Sequence, residues 1–257
     1  MTTICKNCNH HFEGNFCNNC GQSSQTPEVN FKFLVYEIQH SIFNVDKGFF
    51  YTIKELFYRP GITIRAYLDG KRVKHFKPIA FVLILSTTYA ILTHYSNKTT
   101  FLEEIFSGIS DGVNEKNTNT SFNLFIYTLQ WMKNNYAYTT LLIIPVMSLA
   151  SYLAFIKTKY NYFQHLILNS FIAGQRTVAF LLILPITYFI TDKGAINFID
   201  SLKVIIGILL TFWTYFQFFD TTKSLSKILL TVLTYIYLAG IFFILILLLF
   251  GMSKIWE

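Results

Sequence analysis

Hydrophobic and polar positions follow two regimes along the chain. From residue 31 to 57, apolar side chains recur at Phe31, Leu34, Val35, Ile38, Ile42, Val45, Phe49, Ile53 and Leu56. Lys32, Glu37, Gln39, Asp46, Lys54 and Glu55 fall on the remaining faces, so the spacing predicts an amphipathic helix. Pro60 and Gly61 are expected to end it, and a short helix through Ile64–Leu68 to follow, closed by Gly70. Charges recur too often here for a bilayer span. The helix is expected at the membrane interface or beneath a bundle.

From residue 78 onward the pattern changes to long apolar runs. Five can cross a bilayer, which takes about 20 residues: roughly 78–95, 136–156, 168–190, 203–219 and 228–250. None of these five stretches contains Asp or Glu. The first and fourth are short and call for a slight tilt or a thin bilayer. Between the first two lie a polar stretch, 96–121, and an amphipathic piece, Phe122–Met132, too short to cross. Pro145 and Pro185 are expected to kink their spans. The expected fold is mainly α: a polytopic α-helical membrane bundle of about five spans over 78–257. Cytoplasmic juxtamembrane helices over 27–77 and a small N-terminal head with its linker over 1–26 complete it.

Composition agrees. Of the 257 residues 53% are hydrophobic and 14% charged, against roughly 25% charged in a soluble domain. A soluble enzyme, a disordered tail and a secreted disulfide scaffold are thereby excluded. The net charge of +7 is unevenly placed. Fourteen of the 21 Lys and Arg fall in 1–77 and in the second and fourth loops, and six on the opposite side. By the excess of cations on the inner face, the N-terminus is expected in the cytoplasm and the C-terminus outside a bacterial inner membrane. No basic n-region or apolar h-region precedes Cys5, so no signal peptide is expected.

All four cysteines lie in the head, as Cys5-Lys-Asn-Cys8 and Cys17-Asn-Asn-Cys20-Gly21. Each CxxC turn points two sulfurs at a common centre, and four thiolates make a closed structural zinc site without a catalytic position. Gly21 suits the turn after the last ligand, and Gly14 with Asn15 can reverse the chain between the knuckles. His10 and His11 are read as surface residues, because four cysteines complete the set. A head this small has almost no core, so the zinc would supply most of its folding energy. Lys6 is the head's single basic residue, balanced by Glu13. That excludes the basic stripe nucleic acid requires and points instead to a cytoplasmic protein partner or to simple capping of the cytoplasmic face.

The run Arg65-Ala-Tyr67-Leu68-Asp-Gly70-Lys71-Arg72-Val-Lys74-His-Phe-Lys77 leads directly into the first span. Arg65, Lys71, Arg72, Lys74 and Lys77 are candidates for anionic lipid headgroups and for topology determinants. Together with Gly48-Phe49, Thr52, Leu56, Arg59-Pro60-Gly61, Pro78-Ile-Ala80-Phe81 and the CxxC pairs, this run resembles the bacterial domain-of-unknown-function family 3667. The resemblance implies a zinc ribbon on a polytopic membrane domain, and it brings no activity, substrate or catalytic residue.

Arg176 is the unusual residue of the spans. His165, Asn169 and Arg176 share one helical face with Gln175 beside it, a polar stripe expected to face the bundle interior or a water-filled cavity. Snorkelling to the headgroups is the alternative, and Asp220 is the expected ionic partner. Three function classes follow. A non-enzymatic scaffold or adaptor comes first and a small transporter or channel using the Arg176 stripe second. An intramembrane enzyme comes last, because the chain has no paired aspartates in its spans, no GxSxG and no HExxH. Lipid and a protein bound through the head are the expected partners; the oligomeric state is not legible.

Overall fold

The computed structural model describes residues 2–41, 48–96, 127–132 and 134–255. The head pairs β1 (Thr3–Ile4) antiparallel with β2 (His11–Phe12). Then follow α1 (Phe31–Ser41), α2 (Gly48–Tyr58), α3 (Pro60–Leu68) and α4 (Pro78–Tyr95). Residues 127–132 are helical, and α5 (Tyr136–Ala154), α6 (Tyr162–Tyr188), α7 (Lys193–Phe218) and α8 (Ser224–Ile255) complete the chain. Helices α4 to α8 contain five segments long and apolar enough to cross a membrane.

Several boundaries differ from the sequence expectation, each for a local reason. Of the amphipathic segment 31–57, α1 and α2 are described, and residues 42–47 between them lie outside the described set. Asn30 starts α1 by accepting the Phe33 amide at 3.0 Å. Pro60 opens a helix instead of closing one, because a fixed φ and a missing N–H suit the first helical position. Most of the polar stretch 96–121 and of Phe122–Met132 also lies outside the described residues.

The third and fourth spans begin earlier than hydropathy suggests. Asn161 and Gln164 form a reciprocal capping box, so α6 starts at Tyr162 and takes in His165. Asp192 accepts the Ala195 amide at 2.8 Å and starts α7 at Lys193. The short fourth span thereby becomes a full-length helix that includes Asp200.

Helix α6 is the axis of the bundle: 67% of its most apolar window is buried, against 17% in α7 and 11% in α8. It packs on α4, α5 and α7, and α2 and α3 lean on it. Gly174 permits a close approach, since a Cβ there would stand 2.4 Å from the Phe81 ring of α4. At one end of the bundle, Phe155 and Phe219 stack at 3.8 Å and Tyr160 meets Phe218 at 4.5 Å. The turns after α5 and α7 are thus joined. Asn161 donates to the Val29 carbonyl at 3.3 Å, which brings the head's connection to the same end.

Candidate metal centre and buried polar network

The two CxxC turns are built alike. Asn9 N–H donates to the Cys5 carbonyl at 2.9 Å, and Gly21 N–H to that of Cys17 at 2.8 Å. Cys5 N–H reaches the His10 carbonyl and Cys17 N–H that of Gln22, again at 2.9 and 2.8 Å. The residue after each second cysteine is left-handed, Asn9 at φ 58° and Gly21 at 76°. Glycine meets this demand without a Cβ penalty and asparagine tolerates it; the role of Asn9 was readable in the sequence and was missed.

This repetition brings four sulfurs together. Cys5 and Cys20 are 3.5 Å apart, Cys8 and Cys17 3.6 Å, and all four ligand atoms lie within 4.8 Å of one another. None is in a disulfide. A tetrahedral ion with bonds of about 2.3 Å requires sulfur separations near 3.8 Å, so the set fits a metal ion. Burial pushes the Cys5 thiol up, and the His10 amide pulls Cys8 down. A cation is what would let all four ionise together. His10 and His11 are exposed.

The segment after the ribbon, expected as a linker, is bonded to the membrane domain. The buried Gln22 side chain accepts the Arg72 and Val73 amides at 3.1 and 3.2 Å. Arg72 donates to the Pro27 carbonyl at 2.9 Å and lies over the Phe33 ring at 4.2 Å. Its guanidinium therefore faces protein. Beside it, the buried Glu37 carboxylate accepts from the Tyr67 hydroxyl. Burial raises both of those groups and lowers Arg72.

Arg65 is likewise engaged within the chain. It donates to the Gln217 and Phe218 carbonyls at the end of α7, and stands 3.4 Å from Asp220. Asp220 is thus placed beside Arg65 and not beside Arg176, contrary to the sequence expectation. Of the five basic candidates Lys71 and Lys74 are exposed and Lys77 is partly so. The preceding motif explains the contact. Gly61 N–H meets Gln217 Oε1 at 3.3 Å, and a Cβ at Gly61 would fall 2.3 Å from the Phe218 nitrogen.

The intramembrane stripe divides in two. His165 and Asn169 join a knot with α5 and α7. Ser151 Oγ is 2.9 Å from His165 Nδ1, Asn169 donates to Ser151 at 3.0 Å, and the Tyr215 hydroxyl donates to Asn169 at 2.8 Å. Gln175 donates to the Leu56 carbonyl at 2.7 Å and accepts from Thr214 at 3.1 Å, tying α2, α6 and α7. Arg176 makes no hydrogen bond to either among the described residues. It lines a cleft with Ile143, Ile144, Met147, Asn169, Ile172 and Thr211, with about 10 Å³ open to water, which is room for roughly one molecule. Ser148, Ser151 and Tyr215 were not singled out in the sequence, since hydroxyls on apolar helices carry no signal of their neighbours. The Lys203–Asp200 pair at 2.7 Å lies in the first turns of α7, ahead of the apolar run that hydropathy registers.

Residues 46–90 match a family described as "Protein of unknown function (DUF3667)". No curated protein and no solved structure matches the chain. The matched stretch contains Thr52, Arg59-Pro60-Gly61, Arg65, Tyr67, Gly70, Arg72 and Phe81. Thr52 accepts the Phe76 amide at 2.7 Å, and the contacts of Gly61, Arg65, Tyr67, Arg72 and Phe81 are those given above. Over α2, α3 and most of α4 the chain resembles this family, and the matched residues are those that fasten the head-side helices to the bundle.

Proposed function

We propose that this multi-pass protein is a non-enzymatic membrane scaffold whose zinc ribbon is held rigidly at the cytoplasmic face of a bacterial inner membrane for a protein partner. The observation that carries the reading is the double hydrogen bond from the Arg72 and Val73 amides to Gln22. It fixes the ribbon to the turn leading into the first span, as an adaptor requires and a tethered head does not. The ribbon keeps Ile4 and Phe16 exposed, at 58% and 66%, on a surface with one lysine and no basic stripe. That favours protein over nucleic acid. The metal would be zinc, since four thiolates in a tetrahedron suit it. The second reading, a small transporter or channel around Arg176, rests on a cleft of about one water's size.

The test is site-specific photo-crosslinking from positions 4 and 16 in native membranes, with a topology reporter on each terminus. A scaffold gives a discrete adduct from the ribbon, a cytoplasmic N-terminus and an external C-terminus. No adduct from either position, together with ion flux through reconstituted protein that Arg176→Gln abolishes, would favour the transporter.

A further inference from the structure

Three cations, Arg176, Lys203 and Lys227, lie within the segments long and apolar enough to cross a membrane, and groups of the chain answer two of them. Lys203 bonds Asp200 at 2.7 Å, with side chains 4% and 13% exposed. Lys227 donates to the Phe216 carbonyl at 2.9 Å and lies 4.6 Å from the Phe216 ring centre. Arg176 makes no hydrogen bond and no ion pair among the described residues. It is 14 residues from the start of α6 and 12 from its end, about 20 Å by helical rise in either direction.

The cleft that Arg176 lines supplies no negative group. Thr211 donates to the Gly207 carbonyl at 2.9 Å. The Asn169 amide donates to Ser151 and the His165 carbonyl, while its oxygen accepts from Tyr215. The remaining walls are apolar: Ile143, Ile144, Met147 and Ile172. Arg176, partly exposed and without a hydrogen bond or ion pair among the described residues, therefore lines a cleft that offers it no anionic group. The cleft has room for about one water, and a monatomic anion is the smallest charged ligand that could take that water's place.

We infer that Arg176 is the binding site of a small inorganic monoanion of chloride size, seated between α5, α6 and α7. The anion cancels the unanswered charge of the bundle and takes hydrogen bonds from the guanidinium. Low surrounding dielectric strengthens that attraction relative to water. The site is independent of the role proposed for the head, and it needs no continuous path across the membrane.

The experiment is thermal unfolding of the full-length, metal-loaded protein in nanodiscs of zwitterionic lipid. Chloride or bromide replaces gluconate at constant ionic strength. The halide raises Tm saturably by a few degrees, as expected when a ligand binds only the folded state; sulfate does not. Arg176→Gln removes the halide dependence, and Lys74→Gln, on an exposed cation, keeps it. Should the Arg176 variant not fold, anomalous scattering from bromide in wild-type crystals decides, with one peak expected within hydrogen-bonding distance of the guanidinium. Equal Tm in chloride and gluconate, a shift that sulfate matches or that Arg176→Gln retains, or no bromide peak at Arg176 would overturn the assignment.

Discussion

Arg65 on α3 and Asp220 in the turn after α7 stand 3.4 Å apart, while the same guanidinium donates to the last carbonyls of α7. A helix leaves its final carbonyls without partners and carries a partial negative charge there. Arg65 meets both demands, and the Asp220 carboxylate, 53% exposed, adds an interaction that solvent largely screens. Arg65→Gln should therefore cost the detergent-solubilised protein about 1–3 kcal/mol, and Asp220→Asn less than about 1 kcal/mol. Chemical denaturation of both variants checks it. Equal losses would mean that the ion pair, and not the carbonyl cap, does the holding.

Two glycines mark close crossings, and their neighbours set how much each tolerates. A Cβ at Gly61 meets the backbone of Gln217 and Phe218, whereas one at Gly174 meets the ring of Phe81. Backbone within a helix end cannot step aside, but a ring can turn. Overpacking of this kind costs about 1–3 kcal/mol, and alanine returns up to about 1 kcal/mol of helix propensity at an interior position. Gly61→Ala should be the more destabilising of the two, as read by Tm. The reverse order would contradict the crossing geometry.

His75 supplies a pH dependence outside the spans. Burial lowers it from the usual 6.5 to about 4, and among the described residues its Nδ1 has no hydrogen-bond partner. The unfolded chain therefore binds a proton between those values that the folded chain does not. Stability attributable to His75 is complete above about pH 6.5 and is lost as the pH falls toward 4. The difference in Tm between wild type and His75→Phe should change over that window and stay flat from pH 7 to 8. A flat difference throughout would show that the imidazole is solvated.

How much of this was legible in the sequence depends on how far each feature reaches. The CxxC spacing is local geometry, so the sulfur cluster followed from it directly. The first span also followed, because α4 carries no Asp, Glu, Lys or Arg along its whole length. The starts of α6 and α7 did not, since His165, Asn169, Asp200 and Lys203 are matched by protein groups that hydropathy does not register. Their caps, Asn161 with Gln164 and Asp192, were readable signals. Arg65 and Arg72 looked like headgroup ligands because a run of cations beside a span has that appearance; their actual contacts come from α7 and from residues 22–33, which no local pattern reveals. The partner expected for Arg176 failed for the same reason, since Asp220 sits in a turn that α3 reaches first.

The proposed scaffold requires a metal-held head fastened through Gln22 to the turn that leads into the first span. Hydrogen exchange of the full-length protein in nanodiscs, with the metal bound and after chelation, tests this most directly. Metal-loaded protein should hold one zinc per chain and protect the Arg72 and Val73 amides. Chelation, or Cys8→Ser, should expose those two amides together with residues 3–23, leaving the interior of α6 protected. Gln22→Ala should expose the same two amides while retaining the zinc. Unchanged protection at Arg72 and Val73 after the metal is lost, or full metal occupancy in Cys8→Ser, would contradict the account.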